Sequence, residues 1–233
     1  MPSVVTPERY ARGMTFDEYV DYVATPENLK REGSFNRPRK DYGDFFRKAY
    51  ESMRLSDVQQ DALKWINGQP GAPAKVLVIS EDWSSDCRRD VPVIARLAAT
   101  AGWELRIFTR DAQKITSTPV PDPKEQPNAD VVAPFLRKRD AQTFQSIPIA
   151  AFFTRDFQHL YTYLEFPSIY HKDRVRGAIN VPKPGESKEQ TAERSLRDFF
   201  AFQETPFFKI YATAAADEII AMLHERLRVG SLA

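Results

Sequence analysis

Lys75-Val76-Leu77-Val78-Ile79-Ser80 runs straight into Glu81-Asp82-Trp83-Ser84-Ser85-Asp86-Cys87-Arg88-Arg89-Asp90-Val91-Pro92. The opening residues form a short apolar, β-branched run without polar interruption, the pattern of a strand buried on both faces. A turn follows, then a helix from about Cys87 to Thr100 that carries Val91, Ile94, Ala95, Leu97 and Ala98 on one side. A second strand, Trp103 to Thr109, completes a β-α-β unit and implies parallel pairing.

Downstream, residues 112–129 hold Pro119, Pro121, Pro123 and Pro127 among polar residues and read as a solvated loop, with a substrate-covering lid as the second option. Val131 to Ala141 is expected to be helical. Ile147 to Thr154 and Leu160 to Phe166 form an antiparallel hairpin in this reading. Ser187 and Gln190 make a capping box that opens a helix to about Phe202, and a last helix runs from Asp217 to Arg228.

Upstream, Thr15 and Glu18 make another capping box. Residues 25–43, rich in Pro, Gly, Asn and charge, read as an exposed connection. Residues 44–67 hold one broken or two successive amphipathic helices, stopped by Asn67-Gly68-Gln69-Pro70-Gly71. The expected class is α/β, a mixed sheet flanked by helices. Residues 1–70 are expected to form a helical extension and 71–233 the sheet-bearing domain with C-terminal helices.

The chain's 233 residues suffice for one large α/β domain, and a 42% hydrophobic share is enough to bury a real core. Net charge is +1, from 33 basic and 32 acidic side chains, which removes the electrostatic footprint of a nucleic-acid or anionic-membrane binder. Arg88-Arg89 and Lys138-Arg139 read as solvated faces. No eighteen-residue apolar run suggests a membrane span, and the first residues hold no signal-peptide core. A single cysteine forbids an internal disulfide and fits a reducing compartment, so a cytoplasmic location is expected. His159, His171 and His224 have no ligand spacing, and no phosphate loop or Ser-His-Asp order is present, so neither metal nor cofactor is expected. The aromatic-rich C-terminal half should be mostly core, with any excess serving a partner or a homodimer contact.

The stretch Glu81 to Pro92 resembles the thioredoxin superfamily, and more narrowly its bacterial proteins whose motif reads Glu-Asp-Trp-Cys-x-Asp-Cys. Trp83 precedes the motif, the motif joins a buried strand to a helix, and Pro92 falls where thioredoxins kink the active-site helix. Ser146-Ile147-Pro148 matches the cis-proline loop that faces the active site in that superfamily. The resemblance covers roughly residues 75–166. It implies a thioredoxin-like fold, Cys87 and Ser84 at the catalytic positions, and a substrate groove formed by Trp83, Ser85, Asp86, Ile147 and Pro148. Partners would be a protein or low-molecular-weight thiol or disulfide. A thiol at a helix N-terminus meets free N–H groups and the positive end of the dipole, which should lower its pKa.

The chain departs from the family in two places. Ser84 replaces the nucleophilic cysteine, and a serine hydroxyl is too weak an acid to substitute for a thiolate. The family's buried aspartate falls on Val78. Ordinary dithiol reduction is excluded for this chain, whereas a parent reading Trp-Cys-Ser-Asp-Cys would be a dithiol oxidoreductase. Four roles stay open: an inactive or monothiol redox protein, a thiol peroxidase in which Ser84 supports Cys87, a non-enzymatic module holding a peptide or small ligand beside Pro148, and a purely structural, buried Cys87. His171, Glu81 and Asp82 are the nearest candidate proton acceptors, although surface positions are the commoner fate of such residues.

Overall fold

The computed structural model describes residues 5–34 and 37–229. The stretch Met1-Pro2-Ser3-Val4, searched above for a leader, lies outside them. Helices α1 (Pro7–Tyr10), α2 (Phe16–Val23) and α3 (Pro26–Leu29) precede a small ribbon, β1 (Glu32–Gly33) and β2 (Arg37–Pro38). Helices α4 (Gly43–Ser52) and α5 (Asp57–Asn67) follow, then β3 (Lys75–Ser80), α6 (Ser85–Ala101) and β4 (Glu104–Thr109). The second half holds α7 (Ala129–Val132), β5 (Arg137–Arg139), β6 (Gln142–Phe144), β7 (Ile149–Phe153) and β8 (His159–Leu164). Helices α8 (Lys172–Asn180), α9 (Lys188–Gln203) and α10 (Pro206–Val229) complete the chain.

The main sheet has the order β4-β3-β7-β8. Strands β3 and β4 are parallel, as the β-α-β reading requires, while β7 runs antiparallel to both β3 and β8. The mixed α/β sheet flanked by helices is therefore present. Val76, Leu77, Val78 and Ile79 are all buried, so β3 is covered on both faces. Together with Ile94, Leu97, Phe152 and Phe153 they form the centre of the core, each large side chain stabilising by about 1.5–3 kcal/mol. Helix α10 packs on α6, α5 and β8, and α4 packs on α6 and α2. Tyr10, Val20, Phe46 and Ile66 from residues 5–70 join this same core.

The capping boxes at Thr15–Glu18 and Ser187–Gln190 are formed, and a third at Ser56–Gln59 opens α5. Helix α6 ends at Gly102, whose φ of 72° satisfies the last carbonyls in a left-handed turn. Met14 pairs with Ile107 on the outer edge of β4 through hydrogen bonds of 2.9 and 2.7 Å. Gly13 makes this approach feasible, because a Cβ there would stand 2.7 Å from the Phe108 ring.

Several expectations fail for local reasons. Residues 131–141 are not one helix: α7 passes into a 3-10 turn at Ala133–Phe135 containing Pro134, and the chain then folds into the β5–β6 hairpin. Helix α10 starts at Pro206 rather than near residue 217. Residues 25–43 are no exposed connection, since they bury Asn28, Arg31 and Arg39. Among the C-terminal aromatics Phe152, Phe153 and Phe208 are buried, whereas Phe207 is 62% exposed. No helix among the described residues is long and apolar enough to cross a membrane.

Candidate functional site

Strand β3 delivers Glu81 and Asp82 into the turn before α6. Ser84 is the N-cap of that helix: its backbone is extended and its Oγ accepts from the Cys87 N–H at 3.4 Å. Asp86 is thus the first-turn acid and not the cap. The Ile147–Pro148 peptide is cis. Because Ile79 pairs with Ile149, that bond lies beside the residues leaving β3, next to the motif.

Cys87 lies within the first turn of α6 with no exposed surface. Its sulfur accepts from the Glu81 N–H at 3.5 Å. Burial pushes the thiol up to about 12; the Glu81 N–H and the Ser80 and Ser84 hydroxyls pull the other way without offsetting it. The lowered pKa expected from the helix terminus is therefore reversed. Val78, at the family's aspartate position, is also buried and brings no proton acceptor.

Glu81 and Asp82 are not strand-end charges meeting water. Arg39 Nη1 donates to Asp82 and to Glu81, and Arg31 donates to Glu81 Oε1 at 3.1 Å. The same Glu81 oxygen accepts from the Arg110 and Asp111 N–H groups at 2.7 and 2.6 Å. Glu81 thus ties the end of β3 to the end of β4 and to the segment after α3. Burial and the neighbouring Asp111 raise its pKa while Arg31 and Arg39 lower it, with the net direction upward. Trp83 is half-buried and donates from Nε1 to Asp111 Oδ2 at 2.9 Å, which fixes its indole.

Arg88 and Arg89 are likewise buried, against the expectation of a solvated face; Lys138 and Arg139 are exposed as expected. Arg89 grips Asp90 through two bonds of 2.7 and 2.6 Å and reaches Asp86 at 2.9 Å. Burial raises Asp90 to about 6 despite that pairing. The Tyr163 hydroxyl donates to Asp90 at 2.8 Å, and Lys172 of α8 bridges Asp86 and Glu165. Arg88 differs from Arg89: it donates to the Asp82 and Trp83 carbonyls at 2.9 and 2.8 Å and to Gln203 Oε1 at 3.0 Å, all neutral acceptors.

A cleft of about 330 Å³ opens above the N-terminus of α6. Trp83, Ser84, Ser85 and Asp86 form its floor, residues between Gly33 and Tyr42 one wall, and side chains of α8 and α9 the other. Of the residues expected in a substrate groove, Ile147 and Pro148 are buried and do not line this cleft, and neither does Cys87. Arg37, Lys40, Lys172, Arg176 and Phe199 were not legible as site residues, because they meet the motif only through tertiary packing. His171 is exposed at the start of α8, His159 is exposed, and His224 sits 4.9 Å from the Trp65 ring. No cluster of three metal-ligating side chains occurs among the described residues.

The thioredoxin family model matches residues 33–119, which include the Arg39 wall, β3, the motif and α6. A protein of unknown function from Pseudomonas aeruginosa has a similar crystal structure, with a TM-score of 0.52 and 17% identity over 94% of this chain and 98% of its own. An HIV epitope-scaffold superposes comparably, with a TM-score of 0.51 and 16% identity over 94% of this chain and 98% of that one. At such identities these likenesses speak for the fold alone. No curated protein matches the chain. The matched segment spans the strand, the motif and its helix, and with the β4-β3-β7-β8 sheet it gives the chain a thioredoxin-like fold.

Proposed function

We propose that this chain is a thioredoxin-fold binding module and not a thiol-disulfide oxidoreductase, its motif serving as the floor of a ligand cleft. One contrast carries the reading. Cys87, the sole cysteine, is sealed in the core with its pKa pushed up to about 12, while Trp83 to Asp86 line an open cleft. A thiol must be both ionised and reachable to attack a disulfide or a peroxide. Burial denies both, so the same observation weighs against monothiol exchange and against a peroxidase. Ser84, with its oxygen spent on capping α6, fits a structural post in the cleft floor.

Labelling with a thiol reagent from about pH 5 to about pH 9 tests this, combined with an insulin-disulfide reduction assay. The native protein should label only on the timescale of unfolding and should not speed insulin reduction above buffer. Rapid labelling at neutral pH, or turnover lost on Cys87→Ala, would restore the redox reading.

A further inference from the structure

We infer that the cleft takes a small organic anion with a flat apolar body, an aryl phosphate or aryl carboxylate in chemical class. The inference rests on the binding-module reading above and names its ligand. Six cationic side chains line the cleft (Arg37, Arg39, Lys40, Arg88, Lys172, Arg176) against one carboxylate, Asp86. That carboxylate is already saturated, by Arg89 on one oxygen and Lys172 on the other. Arg39 and Lys172 are ion-paired with carboxylates, and the remaining excess is carried by Arg37, Lys40, Arg88 and Arg176, in contrast to a whole-chain charge of +1.

Two buried arginines make this a built site and not a basic surface. Arg88 is 4% exposed, yet among the described residues it is ion-paired to no carboxylate; backbone carbonyls and the Gln203 amide hold it while its guanidinium lies 4.1 Å over the Tyr42 ring. A buried cation with only neutral partners costs free energy, and burial lowers its pKa accordingly. Arg39, which also lines the cleft, is 6% exposed and its Nη2 makes no hydrogen bond, standing 3.9 Å from Asp111 Oδ2. An anion in the cleft supplies the countercharge that Arg88 lacks and an acceptor for the unbonded Arg39 nitrogen. The floor is the N-terminus of a 17-residue helix, whose dipole adds to the attraction.

The walls specify the rest of the ligand. Arg176 lies over the Phe199 ring at 5.5 Å and Lys40 over Phe200 at 5.9 Å, so exposed charge and aromatic faces alternate along the α9 side. Trp83 offers an indole held fixed by Asp111. The volume of about 330 Å³ has room for an aromatic ring with its anionic group.

Titration calorimetry with phenyl phosphate, benzoate and benzyl alcohol tests the inference, on the native protein and on Arg37→Ala/Arg176→Ala. Both substituted residues are exposed and, among the described residues, make no ion pair, so the variant should fold normally, and its unchanged thermal midpoint would verify that. Phenyl phosphate should bind, benzoate should bind more weakly, benzyl alcohol should not, and the double variant should lose about tenfold in phenyl phosphate affinity. Arg88→Met, read by the same titration, should abolish binding. Absence of anion binding, equal binding of benzyl alcohol, or an unweakened double variant would overturn the inference. Thiol labelling on the same samples separates the two levels: a silent Cys87 with no anion bound sinks the ligand class alone, whereas a reactive Cys87 sinks the binding-module reading beneath it.

Discussion

The Glu81 backbone N–H points at the Cys87 sulfur across 3.5 Å, inside the core and away from the cleft. A thiol so placed keeps its proton far into alkali. The folded state holds it to about pH 12, whereas an unfolded chain releases it near 8.5. The resulting stability is complete below about pH 8.5 and is lost as pH rises toward the folded value. Chemical denaturation at a series of pH values should therefore show native stability falling by about 1.4 kcal/mol per pH unit more steeply than that of Cys87→Ala over this window. Buried Tyr10 and Tyr163 have raised pKa values too, but they are common to both proteins and cancel in the difference. Parallel curves would mean a thiol already ionised in the native state.

Removing Arg39 should be among the most damaging single changes. Arg39→Met leaves Asp82 and Glu81 buried with part of their countercharge gone. A loss of about 3–5 kcal/mol is expected from urea unfolding, with partial recovery in Arg39→Met/Asp82→Asn. A loss below about 1 kcal/mol would show that water reaches these carboxylates.

Ser84→Cys places a second thiol at the helix N-cap beside the cleft. It should be labelled far faster than Cys87 and, under mild oxidation, should form an internal disulfide visible as a mass decrease of two hydrogens. Helix capping by sulfur is weaker than by oxygen, so stability in the reduced form should fall by about 1 kcal/mol. Equal labelling of the two cysteines would contradict the burial of Cys87.

Lys172→Met removes the bridge from α8 to Asp86 and Glu165. Burial opposes the ammonium, but the two carboxylates outweigh it and hold its pKa up. Arg89 still pairs Asp86 and Arg137 still pairs Glu165, so global stability should fall by only about 1–2 kcal/mol. Amide exchange in 172–203 should accelerate while β3 and β7 stay protected. Uniform acceleration across the sheet would show that the bridge supports the whole fold.

The β-α-β unit and the hairpin were legible because hydrophobic period and turn chemistry are local: Val76 to Ile79 can only be a buried strand, and Ser187 with Gln190 can only open a helix. Position 148 was assignable through family resemblance alone. Residues 25–43 misled because polarity was read as exposure, whereas Arg31 and Arg39 are buried by carboxylates 40 to 50 positions away in the chain, near Glu81 and Asp82. Arg88 and Arg89 also misled, for another reason: α8, α9 and the rest of the fold pack over a helix turn where Arg89 pairs with its neighbours Asp86 and Asp90 and Arg88 binds carbonyls and Gln203. For Arg31 and Arg39, ion pairing between distant segments leaves no mark on local hydropathy. The cleft was half legible: its floor is a motif, but its walls exist only once α8, α9 and the β1–β2 ribbon have packed.

The pairing of Met14 with Ile107 bears on how molecules of this protein meet one another. An outermost strand left bare offers a ladder of unsatisfied amides to any passing chain, and that invites aggregation. Here a single bridge, admitted by a residue with no side chain, blunts the β4 rim at its midpoint. Gly13→Val should push the strap off, leaving the fold's centre intact while raising, in light scattering, the share of higher-order species over that of the native protein.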